Sequence, residues 1–210
     1  FDSFNSARHD KAQALEKRNV LQGKSKDWLE QHKVRLTASS FGKVFLCVYR
    51  PSEAMVKSLV ANNDLSKVRA IAHGKAEERV AHSIFARNMQ KVTKNFTVFD
   101  AGLCVNPYLP YLGASPDGKI SEPLADPCYE KTGESFYLNT GHSSGYNEQA
   151  KGQMAIAGIK WCDFCVFLSD TNEMCVERIP FDDIYSSTQL LPKLKEFYFD
   201  YFDYALKYLV

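Results

Sequence analysis

The chain contains no apolar run long enough to cross a bilayer and shows no secretory leader, which excludes a helical membrane span. It has no internal repeat and no low-complexity tract, so neither a solenoid nor a compositional linker explains it. A second C-x-x-C is also missing. Cys162 and Cys165 are spaced as metal ligands, but they sit inside W-C-D-F-C-V-F-L, an apolar run that reads as a buried strand. With no partner pair, this argues against a zinc or iron–sulfur site. Cys47, Cys104, Cys128 and Cys175 are scattered, and reduced buried thiols in an intracellular protein account for all six. The five histidines show no ligand spacing, and His73 and His82 read as structural or exposed. Net charge is nearly absent at +1, which excludes a uniformly basic surface. The balance hides a split. Residues 1–100 hold 18 Lys and Arg against 10 Asp and Glu, and residues 101–210 hold 8 against 15, so the halves carry +8 and −7. Lys24, Lys26, Lys33, Arg35, Lys43 and Arg50 can line a phosphate-tracking surface in the basic half.

What is present fits one soluble domain: 210 residues, 45% hydrophobic and 24% charged, enough to bury a core. Residues 1–25 are polar and helix-prone and read as an N-terminal helical arm, leaving 26–210 as a single domain. A helix is expected from Lys26 to His32 with Trp28 and Leu29 inward. Thr37 or Ser39 is expected to cap a second helix through Val48, and Ser52 to open another. Ala70 to Asn88 reads as a helix with Val80, Ala81, Ile84 and Phe85 as its apolar face. Asp182 to Leu209 closes the chain as an amphipathic helix, restarted or kinked at Pro192; its stripe of Leu and aromatic residues reads as core packing or an oligomer contact. Strand candidates are Lys91–Phe99, Gly102–Val105, Lys119–Ile120, Asp163–Ser169 and Glu173–Ile179. The expected architecture is α/β, helices around a central mixed sheet of about five strands.

The run L-G-A-S-P-D-G, Leu112 to Gly118, places Asp117 at the bend between two short extended segments, with Pro116 and Gly118 fixing the backbone around it. A carboxylate presented there can hold a hard cation; an ordinary Pro-Asp-Gly turn is the plainer alternative. On the helix upstream, Glu78 shares a side with Ala81 and Phe85, and Glu77 with Val80, Ala81 and Ile84. Helical spacing alone leaves the choice open. Downstream, Tyr146, Gln149, Gln153 and Ile156 fall at helical spacing on a mixed polar and apolar face.

Four ordered motifs carry a resemblance: R-L-T-A-S-S-F-G-K-V from Arg35, H-G-K-A-E-E-R-V-A from His73, L-G-A-S-P-D-G-K-I from Leu112, and Y-N-E-Q-A-K-G-Q-M-A-I-A-G-I-K-W-C-D-F from Tyr146. In order and spacing the chain resembles the YqaJ-type viral recombinases and phage lambda exonuclease, members of the restriction-endonuclease-like PD-(D/E)xK nucleases. The resemblance spans roughly residues 25–205 and implies a restriction-endonuclease-like core and a DNA exonuclease using Mg²⁺ or Mn²⁺. In that scheme Asp117 is the central metal ligand and Glu78 a helix-borne ligand or water-mediated partner, chosen over Glu77 by its position four residues after the helix glycine. Gln149 orients nucleophile or substrate, Ser39 and Ser115 donate hydroxyls to phosphate, and Arg35 grips phosphate near a 5′ end. Implied partners are duplex DNA with a free end, further copies of the chain and a single-strand annealing protein, with a role in recombination or repair. The implied setting is intracellular: a nucleus or DNA-containing organelle in a eukaryote, otherwise the cytoplasm.

One family element is out of place. The strand carrying Glu-x-Lys should follow Asp117, but the nearest candidates, Glu130 and Lys131, are adjacent and would face opposite sides of a strand. Pro123 and Pro127 break any period-two pattern there. Either the chain is a degenerate DNA-binding relative, or a stretch carrying Glu-x-Lys is omitted near Ser121 to Ala125. The start at Phe1 and the abrupt passage from S-E-P to L-A-D-P favour the omission.

Overall fold

A computed structural model describes residues 2–22, 25–61, 69–93, 96–120, 138 and 144–208. The first half runs α1 (Asp2–Arg18), α2 (Lys26–Lys33), β1 (Leu36–Thr37), a 3-10 turn (Ala38–Ser40), α3 (Phe41–Phe45), α4 (Glu53–Val60), α5 (Arg69–Val92) and β2 (Val98–Phe99). The second runs β3 (Leu112–Gly113), β4 (Lys119–Ile120), α6 (Tyr146–Ala157), β5 (Trp161–Leu168), β6 (Glu173–Pro180), α7 (Asp183–Tyr185), α8 (Leu191–Phe197) and α9 (Asp203–Tyr208).

Serine hydroxyls start two of these helices. Ser25 accepts from the Trp28 N–H and opens α2; Ser52 accepts from the Met55 N–H and opens α4, as its sequence position predicts. Each pairs a donor that a first helical turn leaves unsatisfied. Of the two expected caps, Thr37 makes no such bond and Ser39 lies inside the 3-10 turn; α3 follows Ser40, also without a side-chain cap, so the expected helix through Val48 is instead the 3-10 turn followed by a five-residue α3. Leu29 faces outward at 39% exposure, contrary to its expected inward position, while Trp28 is half-buried.

The expected five-stranded sheet is replaced, among the described residues, by three two-stranded sheets. β1 and β3 pair in parallel (Leu36 opposite Leu112), β2 and β4 antiparallel (Val98 opposite Ile120), and β5 and β6 form a hairpin from Trp161–Pro180 to Leu168–Glu173. The first four strands are two residues long. Pro107, Pro110 and Pro116 lie on either side of β3, where a proline cannot donate to a ladder, and the Gly102–Val105 candidate survives only as a single bridge from Cys104 to Ala114.

The β5–β6 hairpin lies between two helices. Met174 and Val176 pack against Phe85, Met89 and Phe96 on the α5 side, and Cys162, Phe164 and Ile179 pack against Ala150 and Met154 of α6. Two predicted faces shift. On α5 Phe85 is buried as expected and Met89 with it, while Val80 is 42% exposed; W-C-D-F-C-V-F-L is not a buried strand, for Cys165, Val166 and Leu168 are exposed. The best covered part is the end away from the turn, where Ile179 is buried opposite Cys162, while the middle of β5 and the turn itself stand exposed.

The main core joins Leu36, Phe41, Val44, Leu112, Leu194 and Phe202, all nearly inaccessible. Gly152 of α6 admits Phe41, since a Cβ there would stand 2.5 Å from the ring's Cε2. The C-terminal run stays helical through Pro192. A π-helical turn, Ser186–Leu190, precedes the proline and a second, Tyr198–Phe202, follows α8, so the missing N–H falls in a widened turn instead of a break.

Candidate functional site

Asp117 lies between β3 and β4, and the packing of α5 decides what faces it. A Cβ on Gly118 would stand 2.8 Å from both His82 Nε2 and Val98 Cγ1, so only glycine lets α5 approach this closely. His82 thus belongs to the site, against the expectation that it is merely structural or exposed. Its Nε2 is buried without a hydrogen-bond partner among the described residues. Glu78 lies four residues before His82 and seven before the buried Phe85, on the face that meets the Asp117 turn. Glu78 itself is exposed and Glu77 half-buried, so Glu78 occupies the open, solvent end of that face.

Asp117 is accessible to solvent as a residue, yet the surrounding protein raises its pKa through desolvation, with His82 pulling the other way. Cys165 of β5 is within its electrostatic reach. Lys119, two residues on, forms an ion pair with Glu16 of α1. The side chain that the short strand would otherwise direct with Asp117 is therefore committed to α1.

A second group lies around β1 and the start of α6. Arg35 donates through one terminal nitrogen to the Gln31 carbonyl (2.9 Å) and Gln31 Oε1 (2.8 Å), while its Nε is buried and unpartnered. Desolvation lowers its pKa and the nearby Tyr198 raises it, but a guanidinium stays charged. Its Cδ would be 3.5 Å from a Cβ on Gly113, which places it beside β3. Ser115 accepts a 3.0 Å hydrogen bond from Trp28 Nε1, and the exposed Ser39 shares a 3.4 Å contact with Thr37 Oγ1. α6 packs on the turn carrying Ser39 and on β3, and it presents Gln149 half-buried in its second turn. Arg35, Ser39, Ser115 and Gln149 thus sit on neighbouring elements, with Asp117 two residues beyond Ser115.

One buried carboxylate escaped the sequence reading. Glu148 is 2% exposed; its Oε1 accepts from Asn147 Nδ2 at 2.8 Å and from the Tyr185 hydroxyl at 3.0 Å. Burial and then Glu148 push the Tyr185 pKa upward, and Lys151 lies 4.1 Å from the Tyr185 ring centre. This cluster fixes the first turn of α6 to α7, and no local pattern shows it, because Tyr185 lies 37 positions away. The five described cysteines are free, and burial pushes Cys104 and Cys162 up to about 12, so both are protonated thiols at neutral pH.

Among the described residues no group of three or more His, Cys, Asp or Glu is arranged to hold a metal, and no helix is long and apolar enough to cross a membrane. The segment expected to bear Glu-x-Lys, including Ser121 to Ala125, Glu130 and Lys131, lies outside the described residues.

A family model described as the YqaJ-like viral recombinase domain matches residues 27–160. Among solved structures, the alkaline exonuclease from Laribacter hongkongensis is similar over 88% of this chain and 96% of that one, at 22% identity and a TM-score of 0.59. The same exonuclease in complex with dAMP gives 22% identity, the same coverage and a TM-score of 0.61. At that identity the likeness establishes a shared fold. A search of curated proteins found no match.

Proposed function

The chain belongs to the family of YqaJ-like viral recombinase domains, and from that premise we propose that it is a DNA exonuclease hydrolysing phosphodiester bonds from a duplex end. The observation that carries this reading is the convergence of two groups on Leu112–Gly118. The Asp117 turn meets His82, one helical turn after Glu78 on α5, and Arg35, with an unpartnered buried Nε, stands beside Gly113.

Each residue's part follows from its chemistry. Asp117 and Glu78 offer carboxylate oxygens, the donor type that suits Mg²⁺ or Mn²⁺. When bound, such an ion activates water and offsets charge on the phosphate. Arg35 supplies a planar guanidinium, the cation whose fork geometry suits phosphate oxygens, held in place by its bonds to Gln31. Ser39 and Ser115 add hydroxyl donors, and the Gln149 amide orients substrate or water. Activity in recombination or repair, assembly with further copies and cooperation with a single-strand annealing protein belong to the same proposal.

A second reading rests on a specific observation. The 210 residues contain no Glu-x-Lys triplet at all, and Lys119 is engaged by Glu16. A chain without a lysine at the reacting phosphate would keep the phosphate grip and bind DNA without cutting it. Incubation with linear and covalently closed duplexes in Mg²⁺ separates the two. An exonuclease releases nucleotides from the linear DNA alone, whereas binding of duplex ends with no release establishes the degenerate binder.

A further inference from the structure

Gln22 follows α1, outside the residues matched by the family model, and its side chain ends against the Asp117 turn. Its Nε2 donates to the Ala101 carbonyl at 2.8 Å and to the Pro116 carbonyl at 3.1 Å. Both amide protons are thereby used on two segments of chain that lie 15 residues apart. The Pro116 carbonyl belongs to the same planar peptide unit as the Asp117 N–H, so holding that oxygen fixes the plane from which the Asp117 side chain departs. We propose that Gln22 is a positioning residue that sets the direction of the Asp117 carboxylate.

Four further observations point the same way. Trp28 holds Ser115 and Glu16 holds Lys119, so with Gln22 they tie down the turn on both sides of Asp117 as well as at Pro116. The platform for Gln22 is itself rigid: its N–H donates to the Asn19 carbonyl (2.8 Å), its carbonyl accepts from the Ser25 N–H (2.7 Å), and Asn19 is fully buried. A Cβ on Gly102 would stand 2.9 Å from the Glu16 carbonyl carbon, so the end of α1 is pressed against the residue following Ala101. Finally, Gln22 has φ 44°, a left-handed backbone that favours glycine and disfavours any side chain. A glutamine kept in that conformation is held there by what its side chain does.

The inference rests on Asp117 being the central ligand of a divalent ion, and its test separates the two claims. Gln22→Gly relieves the backbone and deletes both hydrogen bonds; Gln22→Met deletes them while keeping the side chain's bulk. The readouts are amide hydrogen exchange at Asp117–Ile120, Mn²⁺ affinity by titration calorimetry, and the melting temperature. The expected result in both variants is about tenfold faster exchange at those amides and about tenfold weaker Mn²⁺ binding. Gln22→Gly is expected to melt no lower than Gln22→Met, since its backbone is relaxed. Unchanged exchange, or unchanged Mn²⁺ affinity where Asp117→Ala abolishes it, overturns the positioning role. Mn²⁺ binding that survives Asp117→Ala overturns the ligand reading instead, while faster exchange in the Gln22 variants still shows that the side chain holds the turn.

Discussion

Replacing Gly42 by alanine sets two effects of opposite sign against each other. Gly42 is the second residue of the five-residue α3, where alanine gains at most the about 1 kcal/mol by which it is favoured over glycine in a helix interior. The structure opposes this with a steric cost. A Cβ on Gly42 would stand 2.7 Å from the Gly145 carbonyl oxygen and closer still to its Cα, and a Cβ on Gly145 would in turn meet Gly42. Both obstacles are main chain, so no rotamer change relieves the overlap, and α3 must separate from the start of α6. Overpacking costs about 1–3 kcal/mol, with main-chain clashes at the upper end or beyond, which leaves a net loss of about 2 kcal/mol after the propensity gain. In a domain of this size that lowers the melting temperature by about 4–8 °C. Urea denaturation gives the direct measure, as a lower midpoint at unchanged slope. A Gly42→Ala protein as stable as the parent, or more stable, would refute the close approach of α3 and α6, and with it the placement of Gln149 beside the Ser39 turn.

Gly158 is the contrasting position: its φ is +69° but nothing lies within 4 Å of a Cβ, so Gly158→Ala should cost only the backbone strain, about 1 kcal/mol in the same urea assay. Arg178 holds Asp163 through two hydrogen bonds of 2.8 and 2.9 Å, and the Asp163 side chain is 4% exposed. Asp163→Ala should therefore cost about 3 kcal/mol, because it removes the carboxylate facing a guanidinium side chain that is itself only 19% exposed; a loss below about 1 kcal/mol would show that the pair is open to water. Burial pushes the His32 pKa down from 6.5 to about 4. The folded chain keeps His32 neutral while the unfolded chain takes up a proton below 6.5. This contribution is whole above 6.5 and is lost as pH falls towards 4, by up to about 3 kcal/mol. His32→Gln should flatten stability against pH in that window, and an identical slope in parent and variant would place His32 in water.

Local chemistry was legible in the sequence. Ser52 caps α4, the strand candidates Asp163–Ser169 and Glu173–Ile179 coincide within two residues with β5 and β6, and the Pro-Asp-Gly turn separates β3 from β4. Family membership was legible too, because ordered motifs survive where overall identity does not. What the sequence hid depends on distant partners. Val80 matches the helical period of Ile84, yet the α5 face is chosen by Met174 and Val176, more than 80 residues on. His82 has no ligand spacing, and its place beside Gly118 becomes visible only once α5 is docked. Gln22 reads as a polar residue in a polar segment until Ala101 and Pro116 come together. Among the described residues the expected sheet is broken into short ladders, where prolines flank two-residue strands.

The most direct test is the rate at which the chain releases nucleotides from an end-labelled linear duplex in Mg²⁺, measured for the parent and for Asp117→Ala with duplex binding followed in parallel. If Asp117 is the central ligand of a working nuclease, release falls at least about a hundredfold in the variant while binding is kept. Release that survives the substitution, or a parent protein that binds the duplex and releases nothing, would contradict it.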